Sequence, residues 1–208
     1  MAFDPGLFPK DILEAVLAQK DSRQTVYLVG GAVRDALLGH ASHDLDFVCD
    51  RGARQIARRT ANGLQGAFYM LDEAREMARV VLGEGDKPYI LDFAVFRGRN
   101  LEEDLAGRDF TLNAMAVELG NPTQLIDPLD GAGDLRERRL RLCSPTSLED
   151  DPLRVLRAVR MATQFDLKMD EELTQFLRES AGLLQSVSME RQRDELFRSF
   201  ELPQAADA

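Results

Sequence analysis

Apolar residues change their period along this chain, and the changes divide it into segments. At 8–19, Ile12, Leu13, Val16 and Leu17 recur at helical spacing. A four-residue apolar run, 26–29, reads as a strand that ends at Gly30-Gly31. The stretch 32–38 reads as a short helix stopped by Gly39, and 45–49 as a second strand. A helix is predicted over 53–62, with Gly63 after it, followed by strands over 67–71, 78–82 and 89–96. A short helix at 111–114 leads into strand-like 115–119. Leu125-Ile126 ends at the turn Asp127-Pro128, and Gly131 and Gly133 mark a loop. From Ser147 onward β-like alternation gives way to helical spacing: Leu153, Leu156, Val159 and Met161, then Leu173, Phe176 and Leu177, then Leu196, Phe197 and Phe200. The boundary is placed near residue 145. An α+β domain precedes it (1–145), a small helical domain follows (146–208), and the last residues, 203–208, read as frayed.

The 208 residues are 44% hydrophobic and 30% charged, as in an ordinary globular protein. No apolar run approaches the ~20 residues that span a bilayer, and the N-terminus lacks the pattern of a secretory signal. Cys49 and Cys143 stand at no metal-ligand spacing and read as reduced thiols, which suits a cytoplasmic protein. A net charge of −10 argues against a protein that coats nucleic acid. The basic residues are nonetheless arginine in all but Lys10, Lys20, Lys87 and Lys168. They cluster at Arg51, Arg54, Arg58 and Arg59; at Arg136, Arg138, Arg139 and Arg141; and at Arg154, Arg157 and Arg160. Such clusters are either solvated, ion-paired helix faces or bidentate phosphate and base contacts.

The chemistry concentrates in LVGGAVRDALLGHASHDLDFVCD, residues 28–50. Asp44 and Asp46 lie two apart on a strand, so the β period points both to one face. Two such carboxylates repel unless a cation sits between them, and hard oxygen ligands suit Mg²⁺; the other reading is a solvated D-x-D. Glycines at 30 and 31 let a phosphate approach backbone at a helix start, with Arg34 in the first turn, although a glycine turn can be only a turn and Arg34 can pair with Asp35. Asp92, between apolar Leu91 and Phe93, would complete a three-carboxylate cluster if its strand adjoins the second one. His40 and His43 read as surface residues, Cys49, Phe68, Met70, Met77 and Met115 as core.

These residues resemble a known family. G-G-x-V-R-D-x-L-L-G followed by D-x-D resembles the head of the polymerase-β-type nucleotidyltransferases, and more closely the bacterial tRNA nucleotidyltransferases (CCA-adding enzymes) and poly(A) polymerases. EEDLAGRDFTLNAMAVEL, LIDPLDGAGDLRERRLR, SLEDDPLRVLRAVRMATQF and SVSMERQRDEL resemble the family's later segments, in order. Gly107 departs from the family's R-R-D pattern and Met161 from the phenylalanine that ends its long helix motif. The chain stops after the neck, where full-length members usually continue into body and tail domains that hold tRNA. The resemblance implies a mixed antiparallel sheet flanked by helices, followed by a helical neck. It implies that Asp44 and Asp46 bind two Mg²⁺ ions, with Asp92 as third acid. Gly30, Gly31, Arg34, Arg108, Asp109, Asn113, Asp151, Arg154, Arg157 and Arg160 would contact the nucleotide.

Asp151, Arg154, Arg157 and Arg160 recur every three residues, which on a helix gives them one broad face. In the family, the first aspartate and the next arginine read the base. A carboxylate accepts from the amino group of cytosine or adenine, and a guanidinium donates to ring acceptors. The alternative is a helix whose charged side chains pair with one another. The implied activity is addition of C and/or A, from CTP and ATP, to tRNA 3′ ends. Poly(A) addition, a nucleotide- or RNA-binding module without turnover, and a small-molecule nucleotidyltransferase are the competing readings.

Overall fold

The structure is a computed structural model, and it describes residues 3–85 and 87–203. The frayed terminus predicted over 203–208 lies, apart from Pro203, outside the described residues. The chain divides into two compact units. The first runs to Leu105 and also contains Asn113–Pro128; the second consists of Ala106–Leu112 and the chain from Leu129 onward.

The first unit is built on a seven-stranded mixed sheet. Its strands are β1 (Val26–Val29), β2 (Asp44–Cys49), β3 (Ala67–Asp72), β4 (Met77–Leu82), β5 (Tyr89–Val95), β6 (Ala116–Glu118) and β7 (Asn121–Ile126), in the order β3-β4-β5-β2-β1-β6-β7. β2 and β5 run parallel, and the other neighbours are antiparallel. The flanking helices are α1 (Lys10–Leu17), α2 (Gly31–Leu37), α3 (Ala53–Leu64) and α4 (Leu101–Ala106). This is the α+β architecture expected.

Period-two alternation divides the central strands into two faces. Leu45 and Phe47 on β2, Leu91 and Phe93 on β5, and Ala78 and Val80 on β4 are all buried, and the Phe47 and Phe93 rings stack at 4.9 Å. α3 packs against β4 and β5 with buried Ala53, Ile56 and Ala57. Each fully buried aliphatic or aromatic side chain contributes about 1.5–3 kcal/mol, so register on this face is strongly specified and the opposite face is fixed with it.

The second unit is helical: α5 (Gly131–Glu137), α6 (Ser147–Asp150), α7 (Arg154–Phe165), α8 (Glu171–Ser180) and α9 (Met189–Phe200). Asp170 caps α8 by accepting from Leu173 N at 2.7 Å, and Ser188 caps α9. The loop predicted around Gly131 and Gly133 is instead α5. A side chain at 131 would place its Cβ 2.2 Å from the carbonyl oxygen of Thr111, so this glycine serves close packing rather than a turn. Asp134 on α5 is fully buried and ties the segments together. Its Oδ2 accepts from Thr111 Oγ1 at 2.6 Å and Arg141 Nε at 3.0 Å, and Arg139 Nη2 lies 3.2 Å from Oδ1. Thr111 N also donates to Arg141 O, and Cys143 N to Asp109 O. Residues 106–112 and 129–145 therefore belong to the helical unit, and the compact units do not divide at residue 145.

Candidate active site

In the first unit, the Gly30-Gly31 turn lies beside the start of β2. Val29 pairs with Asp46 across the antiparallel β1–β2 ladder, and the chain turns at the next residue. Gly30 has φ 76° and ψ −135°, a conformation that demands glycine. Its N–H donates to Met115 O at 3.1 Å, fixing the turn to the chain just before β6. Gly31 opens α2; a Cβ there would lie 3.4 Å from Arg34 Nη2, so the missing side chain leaves the guanidinium close over the turn.

Arg34 is buried and held from two sides. Its Nε and Nη2 donate to Asp35 Oδ1 at 2.9 and 2.8 Å, and its Nη1 donates to Asn113 Oδ1 at 2.6 Å. The pairing with Asp35 is present, and Asn113 joins the site as the residue that orients Arg34.

Asp44 and Asp46 are both exposed while Leu45 and Phe47 are buried, so the two carboxylates share one face of β2. Asp92 is opposite Asp46 in the parallel β2–β5 register, and Arg79 is opposite Asp92 in the antiparallel β4–β5 register. Asp46, Asp92 and Arg79 thus form a row across three strands. Arg79 grips Asp92 bidentately, Nε to Oδ1 at 2.7 Å and Nη2 to Oδ2 at 2.8 Å. Those bonds raise the Arg79 pKa above its ordinary value; burial opposes the shift, and the charges of Asp92, Asp44 and Asp46 add to it.

The strand of Asp92 adjoins β2, so the expected third acid stands beside Asp46, where Arg79 engages its carboxylate. Among the described residues no group of three His, Cys, Asp or Glu side chains is placed to hold a metal ion. The donor set that fits a hard divalent cation is the Asp44–Asp46 pair. Sequence reasoning missed Arg79, although a lone charge between Ala78 and Val80 is the same signal that drew attention to Asp92.

The second unit holds a separate cluster around α7. Asp151 is not on the helix that carries the arginines. It has extended backbone, φ −150° and ψ 97°, and α7 begins at Arg154. Pro152 explains this, since the residue before proline is driven out of the helical region. Asp151 Oδ1 accepts from Leu153 N at 3.3 Å and Oδ2 from Arg191 Nη2 at 2.8 Å. Arg154 is buried, with Nη1 donating to Ser147 O and Oγ and Nη2 to Gly107 O.

Arg157 donates through Nε and Nη2 to Asp109 Oδ2 at 3.0 and 2.5 Å. Asp109 Oδ1 accepts from Phe110 N. Burial pulls the Arg157 pKa down, but the charge and hydrogen bond of Asp109, with Glu195 and Asp151, outweigh it, and the guanidinium lies above its ordinary value. Arg160 donates to Glu195 Oε1 at 2.5 Å and to Gln164 Oε1. Arg157 and Arg160 therefore pair with carboxylates from other segments, and Arg154 with Ser147 and the Gly107 carbonyl. Arg108 sits beside Asp109 in the 106–112 segment of this unit. Glu195 and Arg191 were not singled out from sequence, although both lie in the quoted SVSMERQRDEL segment.

Known proteins are similar to this chain over most of its length. The chain matches the Poly A polymerase head domain over residues 26–141. It is 46% identical over 180 residues to the CC-adding tRNA nucleotidyltransferase of Geobacter sulfurreducens, covering 86% of this chain and 41% of that protein. It is 40% identical over 184 residues to the A-adding tRNA nucleotidyltransferase of Deinococcus radiodurans, covering 86% and 41%. A structure of a CCA-adding enzyme with ATP superposes with a TM-score of 0.84 at 31% identity, covering 97% of this chain and 49% of that one. A tRNA nucleotidyltransferase complexed with primer tRNA and an ATP analog superposes with a TM-score of 0.80 at 30% identity, covering 92% and 57%. The chain thus spans less than half the length of these curated relatives. Among the described residues no helix is long and apolar enough to cross a membrane. Head-domain match and relatives point the same way: the chain belongs to the tRNA nucleotidyltransferase and poly(A) polymerase family.

Proposed function

We propose that this chain carries the catalytic portion of a template-independent RNA nucleotidyltransferase. It adds C and/or A, from CTP and ATP, to the 3′ end of tRNA and releases pyrophosphate, as a cytoplasmic enzyme. The observation that carries this reading is the placement of Asp44 and Asp46 on one exposed face of β2, beside the Gly30-Gly31 turn and Arg34.

Asp44 and Asp46 would hold two Mg²⁺ ions. When bound, Mg²⁺ lowers the pKa of the RNA 3′-hydroxyl and neutralises charge on the triphosphate and the departing pyrophosphate. The Gly31 N–H at the start of α2 would donate to phosphate oxygens, the Gly30 N–H being engaged by Met115 O, and Arg34, fixed in place by Asp35 and Asn113, supplies a positive charge beside it. Asp92 is the third acid of the face. Arg108 contacts the triphosphate or the ribose side, and Asp109, steadied by Arg157, lies near the sugar. No covalent intermediate is needed; positioning and electrostatics supply the catalysis.

Asp151 and Arg154 would select the base. The Asp151 carboxylate accepts from cytosine N4 or adenine N6, exchanging its exposed partner Arg191 for the amino group. Arg154 keeps Nε and one Nη2 hydrogen available for ring acceptors. Arg157 and Arg160 hold this helix to Asp109 and Glu195.

The test supplies each labelled NTP in turn, with Mg²⁺ and tRNA lacking zero to three 3′ nucleotides. Incorporation of CTP or ATP only, lost in Asp44→Ala, supports the reading. Tight CTP binding without incorporation would instead support a nucleotide-binding module without turnover. Equal use of UTP and GTP would overturn base selection by Asp151 and Arg154.

A further inference from the structure

Arg79 stands in the same row as the β2 aspartates, and none of the roles above uses it. Its grip on Asp92 satisfies both carboxylate oxygens and cancels that residue's charge. The pair is half exposed, with Arg79 and Asp92 side chains 40% and 29% accessible. Exposed pairs of this kind contribute little to stability. The consequence of Arg79 is therefore electrostatic and local. It places a positive charge on the acid face, two strands from Asp46.

We propose that Arg79 is a positioning residue that holds Asp92 aside and weakens divalent-cation binding by Asp44 and Asp46 in the nucleotide-free chain, so that the cation loads together with the triphosphate. This rests on the reading of Asp44 and Asp46 as the cation ligands. Without Arg79, Asp92 sits in register beside Asp46 with both oxygens open, and the face gains a third ligand and loses an opposing charge. A triphosphate brings its own oxygen ligands and negative charge, so the penalty imposed by Arg79 shrinks when nucleotide is present.

The experiment measures Mn²⁺ affinity of the nucleotide-free chain from the free-Mn²⁺ electron paramagnetic resonance signal. Arg79→Met is expected to bind Mn²⁺ roughly tenfold more tightly than the native chain, the effect of removing one unit charge about two strand spacings away. Arg79→Gln keeps an N–H donor for Asp92 without the charge and is expected to bind more tightly as well; it serves if Arg79→Met fails to fold. Arg79→Lys, which keeps the charge, is expected within about twofold of native. Adding Asp92→Asn to Arg79→Met removes most of the gain, and adding Asp44→Asn removes the binding. With CTP present the native and Arg79→Met chains converge. Native-like affinity in both Arg79→Met and Arg79→Gln would overturn the proposal. A gain that survives Asp44→Asn, or one undiminished by CTP, would do the same. The nucleotidyltransferase reading is tested separately: if Arg79 leaves Mn²⁺ affinity unmoved while Asp44→Ala still abolishes CTP incorporation, this inference falls and the function stands.

Discussion

Glu195 is the buried anion on which two arginines of α7 converge, so its removal gives a sharp test of how the helical unit is held together. The residue is 3% exposed; Arg160 Nε lies 2.5 Å from its Oε1 and Arg157 Nη1 3.9 Å from its Oε2. Glu195→Ala leaves Arg160, whose side chain is 11% exposed, with Gln164 Oε1 as its one remaining acceptor among the described residues. Arg157 keeps Asp109 and is more exposed, so its long contact adds little. Stripping one partner from a buried pair costs about 3–5 kcal/mol, and the single close contact here sets the expectation at about 3 kcal/mol. Two compact units need not unfold in one transition, so a whole-chain melting curve does not assign the loss to α7 and α9. Native-state hydrogen exchange resolves α7 and α9 directly, and about 3 kcal/mol corresponds to a roughly hundredfold faster exchange of their most protected amides. Glu195→Gln, which keeps an acceptor without the charge, is expected to fall between native and alanine. Exchange in α7 and α9 within about fivefold of native for Glu195→Ala would refute the ion-pair account of this unit.

Three further perturbations probe other parts of the structure. Gly131→Ala drives a Cβ to 2.2 Å from a backbone oxygen that cannot rotate away; it is expected to destabilise the helical unit by about 1–3 kcal/mol or more, read as a lower thermal midpoint. Gly31→Ala brings a Cβ to 3.4 Å from Arg34 Nη2, an ordinary van der Waals contact, so it is expected to keep the native melting temperature while weakening CTP binding; native affinity would remove Gly31 from the phosphate site. Burial pushes the thiols of Cys49 and Cys143 up to about 12 from an ordinary value of 9.0. In that interval the unfolded chain carries thiolates while the folded chain keeps its protons, so ν_U is smaller than ν_N and stability falls with rising pH. The urea midpoint is therefore expected to decline between pH 9 and 12, and replacing both cysteines by alanine to flatten that decline.

The legible parts of the molecule were those with local periodicity. The alternation through 44–49 and 89–95 placed the two β2 aspartates and Asp92 on one face because a period of two fixes direction without reference to anything distant. What the sequence did not reveal depended on partners far along the chain. Asp92 alternates with apolar neighbours as expected, but the partner that engages it, Arg79, comes from another strand, thirteen residues earlier. Gly131 and Gly133 suggest a loop by composition, whereas the packing of α5 against Thr111, twenty residues earlier, requires glycine at 131. Spacing by three placed Asp151 with the arginines, and Pro152 decided otherwise. In α9 the apolar period gave the helix but not its burial: Leu196, Phe197 and Phe200 are 40%, 58% and 68% exposed. α4, with three acidic residues in its first turn, has too short an apolar stripe to be read as a helix at all.

The claim on which the rest depends is that Asp44 and Asp46 together hold the divalent cation that accompanies a nucleotide's triphosphate. Anomalous diffraction from crystals of this chain grown with Mn²⁺ and CTP tests it directly. The account predicts manganese peaks within ligand distance of both carboxylates, with the triphosphate beside the Gly30-Gly31 turn. Manganese bound elsewhere, or triphosphate density remote from that turn, would contradict it.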